Sequence, residues 1–309
     1  MLQIVFFSPP ADVINGGIKY IFRMAETLRA AGHNTVVIEE KERRPQWFLS
    51  NIPIVGQNVL KPNPDQVYVL PEDQVHLLAT LKDWPQRKII YSQNHFYSTY
   101  RLGDLQSYAD FGVSHVLCSS RTICDYMRVR HPKVTAHFVP YSIDTALFKP
   151  AFKHNRIAFI PRKRPVEAAY IRDLFRFTQP QYRDWEWQEL SNMSEADVAR
   201  AMNQAKVFLS LSRLEGFGLT PLEAMAAGCV VTGFTGIGGR EYATAGNGFW
   251  ASEDDFPACI DQIKAAIDLS QEEGKARESY FANGRKTLAA YTPEIFRQAV
   301  KDVWEKISI

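Results

Sequence analysis

The sequence predicts two α/β domains, each built as a doubly wound parallel sheet. Apolar runs of strand length alternate with helically spaced apolar residues along the chain, the pattern that produces parallel sheets joined by right-handed crossovers. That series halts at a proline-flanked segment, Pro140 to Pro150, and starts afresh near Arg156. A length of 309 residues suits about two domains. The expected division is 1–145, 146–290, and a last helical segment, 291–309, that crosses back to pack on the first domain.

Composition narrows the function classes. Hydrophobic content of 46% and charged content of 23% are ordinary for a globular protein. A net charge of +2 gives no basis for nucleic-acid binding. Local basic clusters at Lys41–Arg44, Arg128–His131 and Arg162–Arg164 read as solvated faces or phosphate contacts. The cysteines, Cys118, Cys124, Cys229 and Cys259, form no C-x-x-C pair and no ligand-spaced histidines accompany them. They read as small buried groups in a reducing compartment, and no metal site is expected. No apolar run approaches the roughly 18–20 residues that span a bilayer. The first residues, Met1 to Ser8, read as a strand and not as a signal segment. A cytoplasmic protein is expected, with peripheral contact at the inner face of the membrane left open.

Taken in order, Ile4 to Phe7 is a short buried strand, closed by Ser8-Pro9-Pro10. Asn15-Gly16-Gly17 leads into a helix marked by Ile18, Ile21, Phe22, Ala25 and Leu28 and ended by Gly32-His33. The glycine pair lets backbone approach a ligand at a helix start, or simply shapes the turn. Val36 to Ile38 is the second strand, and residues 41–64 are irregular and rich in proline. Asp65 to Leu70, Lys88 to Tyr91, Val113 to Cys118 and Ala136 to Val139 continue the strands, with helices at Val75–Lys82 and Ser119–Arg130. His95 falls in the loop after the strand Lys88 to Tyr91, where open α/β sheets place ligands. A lone loop histidine is equally an ordinary packing residue.

The second series opens with a strand at Arg156–Ile160 and the basic run Arg162-Lys163-Arg164. Three adjacent cations there suit a diphosphate or a solvated turn. A helix at Val166–Phe177, a strand at Trp185–Leu190 and a helix at Ser194–Gln204 follow. Then comes the stretch that organises the rest, Val207 to Thr232: strand, glycine-rich turn, short helix, strand. Thr220 suits an N-cap with Pro221 at the first helical position. The turn at 215–219 therefore offers backbone N–H groups at a helix start, where the dipole favours anions. Glu215 and Glu223 frame it at an E-x7-E spacing. Thr220-x-x-Glu223 also reads as a capping box, in which Glu223 only bonds the backbone. After Thr232, Gly233 to Glu241 reads as a flexible loop, Gly248 to Trp250 as a strand, and helices close the chain at about 254–269, 271–289 and 293–307.

The run Glu215-Gly-Phe-Gly-Leu-Thr-Pro-Leu-Glu223-Ala-Met-Ala-Ala-Gly228 resembles the signature of the retaining E-x7-E glycosyltransferases, glycosyl transferases group 1, of the GT-B fold. The resemblance implies two Rossmann-like domains whose sheets face across a cleft. It also implies transfer of a sugar from a nucleoside-diphosphate sugar to a glycan, lipid or small-molecule acceptor, with no metal ion or other cofactor. On that footing Glu223 accepts hydrogen bonds from the ribose and Glu215 from sugar hydroxyls. The backbone of Phe217, Gly218 and Leu219, beside Thr220, orients sugar and phosphate. Arg162 and Lys163 hold the diphosphate, His95 contacts the donor sugar, and Gly16 and Gly17 lie beside phosphates or acceptor. The chain departs from the family where the usual interdomain Asn-Gly is Tyr141-Ser142, where the two cations are adjacent, and in a compact N-terminal domain. A phosphorylase or epimerase of the same fold, or a non-catalytic nucleotide-sugar-binding protein, would share these features. A glycoside hydrolase needs carboxylates facing each other across the bond, which two glutamates flanking an anion site do not supply.

Overall fold

The structure, a computed structural model, describes residues 2–57, 61–103 and 106–307. Positions 58–60 of the proline-rich stretch and 308–309 of the last segment lie outside them. Two compact units emerge, one of residues 1–141 with 294–309 and the other of residues 142–293.

The first unit holds a parallel sheet of seven strands: β1 (Gln3–Phe7), β2 (Asn34–Ile38), β3 (Ile54–Val55), β4 (Gln66–Pro71), β5 (Arg87–Ser92), β6 (Val113–Cys118) and β7 (Thr135–Phe138). Their spatial order is β3-β2-β1-β4-β5-β6-β7. Strands covered on both faces need unbroken apolar runs, and every residue of β4 is accordingly buried. The helices are α1 (Gly16–Ala30), α2 (Val75–Thr80), α3 (His95–Leu102) and α4 (Arg121–Arg130). Trp304 of the last helix, residues 293–307, stacks on Phe6 of β1 with ring centroids 6.4 Å apart. Arg87 also donates to the carbonyl of Ile307 at 2.9 Å, so the end of the chain packs within this first unit.

The second unit has five parallel strands, β8 (His154–Phe159), β9 (Glu186–Glu189), β10 (Ala205–Ser212), β11 (Val230–Thr235) and β12 (Phe249–Ala251), in the order β12-β11-β10-β8-β9. Its helices are α5 (Pro165–Thr178), α6 (Glu195–Gln204), α7 (Thr220–Ala226), α8 (Phe256–Gln271) and α9 (Lys275–Leu288), before α10 (Pro293–Ile307). One apolar core joins β8, β10 and β11 to α5 and α8 through Ile157, Leu209, Val230, Ile171 and Ile263. These are the two parallel α/β domains that the sequence predicts.

Several local expectations need correction. The irregular 41–64 stretch contributes a strand, Ile54–Val55, paired to Val37 and Ile38. The segment after Ser92 is a helix and not a loop, because the side chain of Asn94 accepts from the amide of Phe96 at 3.1 Å and so caps α3. Thr220 is not the N-cap of α7. The carbonyl of Leu219 takes the amides of both Leu222 and Glu223 at 3.0 Å, which moves the cap back one residue and dissolves the expected capping box. In the expected flexible loop, Gly233 to Thr235 extend β11 and Gly238–Glu241 forms a 3-10 turn. All four cysteines are free and buried. Among the described residues no helix is long and apolar enough to cross a membrane.

Candidate functional site

In an open parallel sheet the loops on either side of the point where strand order reverses diverge, and the crevice between them takes ligands. In the second sheet that point lies between β8 and β10. The loop leaving β8 carries Arg162 and Lys163, and the loop leaving β10 carries Arg213 and the turn from Glu215 to Leu219. Topology thus brings the basic pair and the glutamate–glycine turn to the same end of one sheet.

The turn is shaped to present donors. Gly218 adopts φ +87°, which a side chain would oppose, and Leu219 follows at φ −70°, ψ −39°. Backbone of alternating hand points successive amides the same way and makes an anion-binding concavity. Among the described residues the amides of Gly218, Leu219 and Thr220 have no protein acceptor, and Pro221 has no amide to satisfy. Phe217 is the anchor: its side chain is 1% exposed and its ring packs on Tyr242 and Tyr291 at 5.4 and 5.2 Å. Glu215 is half-buried, and its carbonyl accepts from the amide of Gly238 at 3.1 Å. Glu223 on α7 is only 7% exposed.

The basic run divides by burial. Arg162 is exposed and Lys163 half-buried, whereas Arg164 has no exposed surface. A buried guanidinium must be paired. Arg164 pairs with Asp254 at 2.5 Å and with Glu253, donates to the Ser212 carbonyl at 3.2 Å, and lies 4.5 Å from the ring centre of Phe234. Glu253 in turn accepts from the amide of Gly236 at 3.0 Å. Arg164 therefore ties together the loops after β8, β10, β11 and β12 and is committed to the protein itself, whereas Arg162 is exposed.

In the first unit, order reverses between β1 and β4. Gly16 and Gly17 open α1 beside that point. The Gly17 amide donates to the Asn15 side chain at 2.9 Å, and a side chain on Gly17 would collide with the amide oxygen of Gln93. The close approach at this glycine is thus made by the protein itself. His95 is the first residue of α3 and is buried, with its ring 4.3 Å from Phe96 and 5.3 Å from Tyr126. Burial lowers its pKa below the ordinary histidine value, which leaves a neutral imidazole at pH 7. Among the described residues no group of three or more His, Cys, Asp or Glu side chains is arranged to hold a metal ion.

Residues 188–287 match the sequence profile of the family described as Glycosyl transferases group 1. The match takes in the turn at Glu215 and both framing glutamates. An alpha-1,6-glucosyltransferase of Actinobacillus pleuropneumoniae serotype 7 (strain AP76) is 27% identical over 254 residues, which cover 78% of this chain and 76% of that protein. Sucrose-phosphate synthase (tll1590) from Thermosynechococcus elongatus shares the fold with a TM-score of 0.72 at 14% identity, over 99% of both chains. Anabaena Alr3699/HepE, solved with UDP-glucose, does so at 0.73 and 13% identity, over 99% of this chain and 100% of that one.

The matched segment contains two residues that spacing did not single out. Tyr242 donates its hydroxyl to the Gly218 carbonyl at 2.5 Å and so holds the positive-φ residue of the turn. Gly238 lies so close to that turn that a Cβ would stand 2.5 Å from Gly216 C and from Phe217 Cα. The Gly238-Gly239 pair was visible as a glycine-rich connection, but its contact across to Gly216 is not a local property. Tyr242 carries no sequence signal, since a lone tyrosine after Gly-Gly-Arg-Glu looks like any other surface-loop aromatic.

Proposed function

We propose that the protein is a retaining glycosyltransferase that moves a sugar from a nucleoside diphosphate to an acceptor hydroxyl without a metal ion. The observation that carries this is the 215–220 turn. Three consecutive amides without a protein acceptor lie between Glu215 and Glu223, inside the domain that matches the family. Backbone donors of this kind suit phosphate, and acidic side chains beside them suit sugar hydroxyls. UDP-glucose is the first donor to try, since the Anabaena neighbour was solved with it and the Actinobacillus relative is a glucosyltransferase.

In the transfer, the bond between the anomeric carbon and the phosphate oxygen breaks through an oxocarbenium-like state. The acceptor oxygen bonds to the same face, and its proton passes to the departing diphosphate. Arg162 and Lys163 stabilise the charge growing on that diphosphate, helped by the amides of Phe217, Gly218 and Leu219 and the hydroxyl of Thr220. Glu215 accepts from sugar hydroxyls. Glu223, nearly enclosed on α7, accepts from the ribose. His95 takes part as a neutral imidazole contact to the sugar, and Gly16 and Gly17 border the acceptor. The acceptor is a glycan, a lipid or a small molecule with a free hydroxyl.

A thermal-shift screen against UDP-, GDP-, ADP- and TDP-sugars identifies the donor, because a ligand of the native state raises the melting temperature by mass action. With that donor, Glu215→Gln and Arg162→Ala are each expected to lower the transfer rate on the order of 10²-fold, the usual cost of losing one preorganised charge contact. Full transfer rates in both variants would refute these roles. A requirement for free phosphate would identify a phosphorylase instead.

A further inference from the structure

Buried polar groups without partners are rare, and in the first unit several gather where β5 and β6 end. Among the described residues Tyr91 Oη, Ser92 Oγ, Ser119 Oγ and His95 Nδ1 have none. Beside them, at the point where the first sheet reverses its order, stands Glu72, the first residue past β4 and 6% exposed. Its Oε1 accepts from the Asn94 amide at 2.7 Å, and its backbone carbonyl accepts from the Tyr108 hydroxyl at 3.2 Å. Asn94 is the cap of α3, and His95 is the first residue of that helix.

We propose that Glu72 is a positioning residue that fixes the Asn94 amide, and with it the start of α3, so that the His95 imidazole is held in place; its bearing on catalysis rests on the reading of His95 as a contact to the donor sugar. A glutamate buried at this spot has no packing task that leucine or methionine would not do better, and it exacts a desolvation cost. What it supplies is an acceptor aimed at one amide, on the turn that delivers His95.

The groups that face Glu72 make its effect depend on pH. Asp73 lies next to it, with Arg101 acting on Asp73. Tyr91 of β5, Tyr108 of the 3-10 turn Tyr108–Phe111 and Cys118 of β6 surround it, with Tyr20 and Tyr141 beyond Tyr91. Tyr91, Tyr108 and the Cys118 thiol are themselves kept protonated by burial. Burial, reinforced by the charge of Asp73, pushes the Glu72 carboxyl up to about 8. Below that pH a neutral acid accepts from Asn94. Above it a carboxylate repelled by Asp73 draws on the amides of Glu72, Gln93 and Asn94, and the turn that carries His95 shifts with them.

The test uses the full chain with labelled histidine, the His95 ring signal being assigned by its absence in His95→Gln. In the wild type that signal is expected to shift with a midpoint near pH 8, and the transfer rate to fall about tenfold between pH 7 and 9, as one proton leaves. Glu72→Gln retains an Oε1 acceptor and does not titrate, so both steps are expected to vanish. A wild-type His95 signal with no step near pH 8, or a step that persists in Glu72→Gln, overturns the inference without recourse to activity. Should His95→Gln transfer sugar at the full rate while the His95 signal still follows Glu72, the positioning stands and the role given to His95 in transfer is lost.

Discussion

Gly238→Ala tests whether the donor turn depends on its packing against the 236–239 loop. An added Cβ would stand 2.5 Å from Gly216 C and Phe217 Cα, where ordinary contact begins at 3.4 Å, so one of the two segments must withdraw by about 1 Å. Neither retreats freely. The 236–239 side is tied by the Gly238 amide to Glu215 and by Gly236 through Glu253 to Arg164. The 215–219 side is tied by Tyr242 to Gly218 and by the buried Phe217 ring. Overpacking of this kind costs about 1–3 kcal/mol of stability, so the variant folds, and urea unfolding reads the loss. The functional cost is larger, because displacing a positioned contact by about 1 Å reduces turnover on the order of 10²-fold. Steady-state kinetics with the identified nucleotide-sugar, alongside titration of the nucleoside diphosphate alone, should show that loss together with weaker binding. Wild-type affinity and turnover in a destabilised Gly238→Ala would refute the account, since the loop would then have yielded without disturbing the turn.

Other outcomes follow from single groups. Tyr242→Phe removes one hydroxyl and leaves the Gly218 carbonyl without its donor, at a cost of about 1–3 kcal/mol. Faster hydrogen exchange at the Gly218 and Leu219 amides, with several-fold weaker nucleotide binding, is the expected signature, and unchanged exchange would show that Phe217 alone sets the turn. Burial holds the Glu72 carboxyl up at about 8, above the ordinary glutamate value of 4.5, so between those values the native state holds a proton that the unfolded chain has released. Stability therefore falls as pH rises through that window and levels off above it. At 1.36 kcal/mol per unit, the difference of 3.5 units (8 − 4.5) amounts to at most about 5 kcal/mol. Denaturant unfolding of wild type and Glu72→Gln from pH 4.5 to 9 should show a wild-type decline that the variant lacks.

Much of the second unit could be read from local pattern. The helix Pro165–Thr178 and the strand Ala205–Ser212 announce themselves by apolar spacing, and the turn at Glu215 by its glycines, because each depends on residues close in sequence. The first unit was less legible. Ile54–Val55 is a strand only because β2 offers it an edge, and α3 is a helix of eight residues that depends on the cap from Asn94. Arg162, Lys163 and Arg164 are indistinguishable as three adjacent cations. Burial separates them, since Arg164 is enclosed against Glu253 and Asp254 from a distant loop while Arg162 is exposed.

By itself the sequence determined the alternation of strand and helix, the restart of that alternation after Pro150, and the donor-rich turn between Glu215 and Glu223. All of these arise from backbone geometry and from side chains a few positions apart. Only the tertiary structure decided that Gly238 abuts Gly216, that Tyr242 holds the Gly218 carbonyl, that Arg164 is a tie between loops, and that Glu72 accepts from the Asn94 amide. Each joins segments that lie on different strands and meet only once the sheets have formed, so no spacing along the chain can encode them.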